Sequence, residues 1–422
     1  MKKVLFIAYL YPPIANSGTR RSLEFVNRLP DNGWTPIVLT SNPKPADCEM
    51  SLIEEVRKGT RIERASLWTD QLSERIGQLI GGQRVADGLK WRMQRLMQVP
   101  DECAAWRPTA VRKGLDVFKQ EGFDAIYASG WPWTSFLVAA ELSRKTGKPF
   151  VVDYRDLWKP SDVEWDRHTA MQRWFQPRLE KKILRDASAV ITTTSSFARM
   201  LAEEGAEGKA YCITNGFDPE DFSGFDKIRN MSSADIFQIS YTGVWRPGYG
   251  PEDLYRAIRH LKQNSAESLH KLKVVMAGFN PGRAKEFGID DVVEEHGPVP
   301  HSQAIEMMMR SDALYLPVST GFYERAHLPG KLFEYIGSGK SIIASALAES
   351  EVNSVLAAVG GACVIAPGDI NSLADAIFTM CHTKNSGAFS PRIECEARHY
   401  ERSHQCAELT RILGLVVAAN PI

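Results

Sequence analysis

Along this chain, short unbroken apolar runs alternate with stretches whose apolar residues recur at helical spacing. Runs at 4–10, 35–40, 124–128, 150–153 and 189–193 are bounded by polar or turn residues. They predict strands buried on both faces of a parallel sheet. Between the first two, residues 20–29 set Leu23, Phe25, Val26 and Leu29 along one side of a helix. A helix through Ser143 and another capped by Ser195 continue the alternation, and a short strand at 211–214 precedes the turn Asn215-Gly216-Phe217-Asp218. Residues 219–235 are polar and predict a linker. The alternation then restarts, with strands at 236–243, 272–278, 313–317, 342–346 and 362–365 and helices at 251–263, up to 310, 329–336 and 372–382. A helical tail spans 390–415. The pattern predicts an α/β protein of two successive Rossmann-like βαβ domains, each with a ligand site at its strand ends and the two facing one cleft.

Composition changes this picture little. At 422 residues the chain is long enough for two full cores, and 44% hydrophobic with 24% charged residues is ordinary for a globular protein. Lys+Arg and Asp+Glu are both 51, so no global charge points to nucleic acid. The seven cysteines are scattered and never form a CxxC pair, which fits reduced thiols in a cytoplasm and gives no basis for a zinc site or a disulfide frame. Met1-Lys2-Lys3 and the apolar run behind it read as a first core strand rather than a signal peptide, because Pro12-Pro13 ends the run early. No run approaches the roughly 18–20 apolar residues of a membrane span.

Candidate chemistry lies where strands end. The segment His327 to Lys340 places Pro329 at the start of a helix and Leu332, Phe333 and Ile336 on its apolar face, with Gly337 and Gly339 closing it. Its free N–H groups and dipole make an anion site; Lys331 adds a charge at the mouth and Glu334 a carboxylate one turn deeper. Such a pair can grip a diphosphate and then a ribose diol, or it can be a surface Lys–Glu pair on an ordinary helix. The long loop Tyr11 to Thr19, with Ser17 and Gly18 just before a helix, sits at the end of the first strand and favours a ligand role over a plain turn. Asp153, Arg155 and Asp156 follow the strand at 150–153. They serve either polar ligand contacts or a salt-bridged loop, and their spacing does not make a metal site. No GxGxxG follows either first strand, which weighs against a dinucleotide site. Residues 68–98 mix Trp91, Met93 and Leu96 with Arg75, Arg84, Lys90, Arg92 and Arg95; this predicts either a helix lying on an anionic membrane or a packed helical cover with a solvated basic side.

Five pieces then occur in order: Tyr11-Pro12-Pro13 with Gly18, Asp153-Tyr154-Arg155-Asp156-Leu157-Trp158, Asn215-Gly216-Phe217-Asp218, Tyr241-Thr242-Gly243, and Pro329-Gly330-Lys331-Leu332-Phe333-Glu334-Tyr335. Together they resemble the family-four retaining glycosyltransferases of the GT-B fold across nearly the whole chain, with the bacterial cell-surface polysaccharide branch nearest. The resemblance implies an acceptor domain over 1–218, with a C-terminal helix at about 396–422 packing back on it, and a nucleotide-sugar donor domain over 219–395. It implies Glu334 on the donor ribose, Lys331 and the Gly330 region on the diphosphate, and Leu328 among the substrate contacts. Gly243 would lie close to the phosphates, Val299 at the base, and Ser17 and Gly18 near the donor phosphate. Three departures stand out. The family's first glutamate would fall at 326, where this chain has Ala326, and Glu324 is the nearest carboxylate. A His common after the strand at 150–153 is missing, so its catalytic role would pass to Asp153 or Arg155, and Arg246 is the one basic residue near the usual catalytic Arg and Lys after Gly243.

The reading that follows is hexosyl transfer from a nucleotide-diphosphate sugar to a glycan or polyprenyl-linked acceptor. It takes place in the cytoplasm or at the inner face of the plasma membrane, with no cofactor and no metal. Fixed cations and a helix dipole would stabilise the leaving diphosphate, and the leaving oxygen would take the acceptor's proton. The alternatives are a GT-B sugar-nucleotide epimerase or hydrolase and a non-catalytic nucleotide-sugar-binding subunit.

Overall fold

The structure is a computed structural model. It describes the chain apart from residues 45–46, 71, 74–75, 77–97, 159–167, 226–235, 246–249, 322–324, 383–391 and 421–422, and apart from the side chains of 17 and 266–268. Two compact units result. The first comprises Met1–Thr214 and Cys406–Ile422, the second Asn215–Gln405.

In the first unit seven parallel strands follow the order β3-β2-β1-β4-β5-β6-β7. They are β1 (Lys2–Ala8), β2 (Trp34–Ser41), β3 (Arg61–Ala65), β4 (Ala125–Gly130), β5 (Phe150–Tyr154), β6 (Ala189–Thr192) and β7 (Ala210–Cys212). The continuous apolar run of β1 has its reason in the layering. Leu5 and Ile7 pack on one face with Val138, Phe136 and Leu142, while Val4, Phe6 and Ala8 pack on the other with Leu23 and Val26. Helices α1 (Ser17–Arg28), α2 (Arg107–Glu121), α3 (Thr134–Thr146), α4 (Ala170–Asp186) and α5 (Ser195–Leu201) cover the sheet. α1 begins three residues earlier than the apolar spacing predicts, because the Asn16 side chain accepts from Gly18 N at 3.0 Å and caps it.

The second unit has six parallel strands in the order β10-β9-β8-β11-β12-β13. These are β8 (Phe237–Thr242), β9 (Leu272–Ala277), β10 (Val293–His296), β11 (Ala313–Pro317), β12 (Ser341–Ser345) and β13 (Ala362–Ile365). α6 (Glu252–Asn264) and α10 (Ile370–His382) lie on one face; α7 (His301–Arg310), α8 (Gly330–Ser338) and α9 (Glu351–Val359) lie on the other. The chain then enters α11 (Arg402–Ala418), whose Cys406, Leu409, Ile412, Leu413 and Val416 join Val4, Phe6 and Leu23 in the first unit's core.

Both sheets reverse their order once, between β1 and β4 and between β8 and β11. Ligands of such sheets bind beyond the strand ends at these switch points. No helix among the described residues is long and apolar enough to cross a membrane. The basic stretch predicted to meet one, with Arg84, Lys90, Arg92 and Arg95, lies outside the described residues.

A candidate anion site at each switch point

In the second unit, α8 starts at Gly330 behind Pro329, whose backbone is extended, and no side chain caps it. Its first N–H groups therefore point into the loop. Leu332, Phe333, Tyr335 and Ile336 are buried and hold the helix against the sheet. Gly339, in the left-handed conformation at φ 68°, ends it. Gly337, predicted as a terminator, is instead a packing position: a Cβ there would meet Phe222 at 2.5 Å and Phe217 at 2.6 Å.

Lys331 reaches back over the end of β8. Its Nζ donates to Tyr241 Oη at 3.0 Å and sits 4.1 Å from the centre of that ring. A Cβ on Gly243 would stand only 1.8 Å from this ammonium, so the glycine makes the space the cation fills. The floor beneath is backbone. Gly243 N donates to Ala277 O at 2.7 Å and Gly278 N donates to Gly297 O at 3.1 Å. Gly278 adopts φ 106°, and a Cβ there would meet Gly243 O at 2.6 Å. The arrangement puts one full charge and a helix dipole at one place.

Glu334 lies one turn further along α8 and is half-buried. Burial raises its carboxyl above the usual range, while His301, Arg402 and Lys331 oppose the shift and Asp221 adds to it. No hydrogen bond closes on this carboxylate among the described residues. With Lys331 turned to Tyr241, a surface Lys–Glu pair is not what the helix presents. Leu328, predicted at the substrate, is 2% exposed and packs with Leu332 in the core, so only its backbone is available to a ligand. Half-buried Val299 leans on Val275, Ala277 and Met307.

The first unit repeats the device with other residues. A Cβ on Gly18, in the first turn of α1, would stand 1.8 Å from Arg155 Nη1. The guanidinium is held by the carbonyls after β4: Nε donates to Gly130 O, and Nη2 donates to Trp131 O at 3.0 Å. Burial lowers the Arg155 pKa, and the neighbouring carboxylates of Asp156 and Asp153 work against that shift. Asp156 is exposed.

Asp153, predicted among the catalytic groups, faces inward. It is 0% exposed, accepts from Arg21 Nε at 2.9 Å and Nη2 at 3.1 Å, and takes a further hydrogen bond from Tyr127 Oη. Arg21 also donates to Ile213 O at 2.9 Å and Thr214 O at 2.8 Å. Burial alone would lower the Arg21 pKa, but the Asp153 charge outweighs it and the net shift is upward. The salt-bridged reading therefore holds for Asp153, and the carboxylate is a positioning group that, through Arg21, ties α1 and β5 to the segment just after β7.

A family model for the glycosyl transferase 4-like domain matches residues 18–216, and one for group 1 glycosyl transferases matches 226–388. The chain belongs to the family-four glycosyltransferases. Solved structures similar to this transferase share little sequence but its whole length. Sucrose-phosphate synthase from Thermosynechococcus elongatus is 16% identical, with a TM-score of 0.64 over 99% of this chain and 100% of its own. The Anabaena protein HepE, solved in complex with UDP, is 15% identical with a TM-score of 0.63 over 98% and 100%. A glycosyltransferase from Rickettsia africae is 13% identical with a TM-score of 0.60 over 98% of each chain. These likenesses establish the GT-B fold. No curated protein matches the transferase by sequence.

Of the residues predicted for the transferase site, the structure brings Lys331, Gly330 and Gly243 together at one switch point and Gly18 and Arg155 at the other. Arg246 and Glu324 lie outside the described residues, as does the side chain of Ser17. Ala326, where the family places a glutamate, is buried at 5% exposure. Sequence reasoning missed Tyr241, Gly278, His301 and Arg402 around Lys331 and Glu334, and Arg21 and Tyr127 around Asp153. Tyr241 was within reach, since it stands in the Tyr-Thr-Gly piece; the others carry no local signal.

Proposed function

We propose that the transferase moves a hexosyl group from a nucleotide-diphosphate sugar, with retention at the anomeric carbon, to a glycan or polyprenyl-linked acceptor in cell-surface polysaccharide synthesis. The observation that carries this reading is the Lys331 ammonium fixed against Gly243 at the open N-terminus of α8, with Glu334 one turn deeper. Diphosphate oxygens would lie against the ammonium and the first N–H groups of α8, and the ribose diol against Glu334. Charge that builds on the departing diphosphate would meet donors already in place, which needs no reorganisation at the moment of transfer. The leaving oxygen would then accept the acceptor's proton on the same face of the sugar. The reaction would take place in the cytoplasm, where the scattered cysteines would stay reduced.

The test pairs a thermal-shift screen of nucleotide-diphosphate sugars with NMR of the glycoside formed from the best one. A saturating donor at 100 times its Kd should add about 2.7 kcal/mol of stability. A product with the donor's anomeric configuration supports the reading. Inversion overturns retention, and donor turnover that yields only an epimerised or hydrolysed sugar overturns transfer.

A further inference from the structure

Among the described residues, α4 carries a face that stays exposed. At 100° per residue, Met171, Trp174 and Phe175 fall on the same side as Arg178, Lys181 and Lys182. The opposite side holds the buried Gln176, Ile183 and Leu184. Met171 is 44% exposed, Trp174 53% and Phe175 40%, unusual for three large apolar side chains within five residues. They pack on one another: the Trp174 and Phe175 rings meet edge to face at 4.4 Å, and the Arg178 guanidinium lies 4.1 Å over the indole. Arg173 is exposed too, Arg185 is paired with Asp186 at 3.0 Å, and Glu180 is half-buried off the face. The face is therefore apolar and aromatic in its first half and strongly cationic in its second.

Beside it opens a cavity of about 530 Å³, lined by Val99, Pro100, Ala104, Leu137, Met171 and Phe175, with the Arg107–Glu141 ion pair among its walls. Gln172 Nε2 donates to Gln98 O at 2.7 Å and Gln176 Nε2 to Pro100 O at 2.6 Å, so the near wall is fastened to the helix. We infer that this face of α4 docks the protein on an anionic phospholipid bilayer, with Trp174 and Phe175 in the headgroup region and the cavity receiving an acyl chain. Charge complementarity selects this occupant. An apolar protein partner would not call for the run of cations behind the aromatics, whereas aromatic anchors beside Lys and Arg are what an interfacial helix needs. The inference rests on α4 and its cavity and stands whichever sugar or acceptor the transferase uses.

The experiment is sedimentation of the full chain with phosphatidylcholine vesicles, with and without phosphatidylglycerol, at low and physiological salt. Wild type should pellet with the phosphatidylglycerol vesicles and be released by salt. Arg178→Glu/Lys181→Glu/Lys182→Glu should weaken binding by about a hundredfold or more, at roughly 1 kcal/mol for each basic residue near the surface. Trp174→Ala/Phe175→Ala should reduce the fraction that pellets at low salt. All these positions are exposed, and a thermal melt equal to wild type shows that each variant is folded. Lipids brominated in the acyl chain should quench wild type more than Trp174→Phe. Failure of wild type to bind, or binding untouched by both variants, overturns the proposal.

Discussion

Gly243 and Lys331 share one space: the lysine's ammonium lies 1.8 Å from where a Cβ on the glycine would be, at the end of β8 and the mouth of α8. Gly18 and Arg155 stand in the same relation in the other unit. In each case a missing side chain lets a fixed cation lie against backbone at a switch point, where anion recognition needs close approach.

Gly243→Ala should therefore act as a Lys331 variant. The methyl group must push the ammonium off Tyr241, so kcat should fall toward that of Lys331→Ala, with a stability loss of about 1–3 kcal/mol from overpacking. Steady-state kinetics with thermal unfolding checks both, and wild-type turnover would refute the shared-space account.

Lys331→Ala should lower kcat more than it raises KM, because charge on the diphosphate grows toward the transition state. Removing one preorganised donor of this kind costs about 10²–10³ in kcat. An unchanged kcat with a raised KM would make Lys331 a ground-state binder only.

Glu334→Gln should weaken binding of a nucleoside diphosphate by about 1.5–3 kcal/mol, the worth of a charge-assisted hydrogen bond. The pH dependence follows from its raised pKa, whose first cause is burial. The folded state holds this proton more tightly than the unfolded chain. The group's contribution to stability is thus complete below the ordinary Glu pKa and lost as pH rises through the folded value. Ligand affinity should run the other way, tightening as pH rises and the carboxylate forms. Isothermal titration across that range should show a slope in wild type and a flat line in Glu334→Gln.

Asp153→Ala should destabilise the chain by about 3–5 kcal/mol, since it leaves the Arg21 guanidinium buried without its counter-charge. Arg21→Met/Asp153→Leu should recover much of that loss. Urea unfolding measures both, and a loss under about 1 kcal/mol for Asp153→Ala would mean that the pair does not hold α1 to β5.

Turnover should persist in excess EDTA, because the proposed diphosphate grip is a helix end and a lysine. Loss of activity restored by Mg²⁺ or Mn²⁺ would assign that work to a metal.

Much of the architecture was legible in the residues alone. Strands buried on both faces are apolar along most of their length, so β1, β11, β12 and the centres of β2 and β5 show as nearly unbroken runs. Edge strand β3, with Arg61 and Glu63 paired to each other and to Glu121 and Lys113, was passed over because its polar side chains are served by partners distant in sequence. The helix start at Pro329 and the αL end at Gly339 are local backbone chemistry and were readable too. Local sequence could not say where a charge points. Asp153 and Asp156 are three residues apart, yet one is sealed against Arg21 and the other exposed, since only the packing of α1 on β5 brings that guanidinium across. Leu328 and Gly337 sit inside a recognisable motif but serve the core, and Tyr241 meets Lys331 across ninety positions of chain. Periodicity is a property of neighbours in sequence; the environment of a polar group is set by neighbours in space, and only the tertiary structure supplies them.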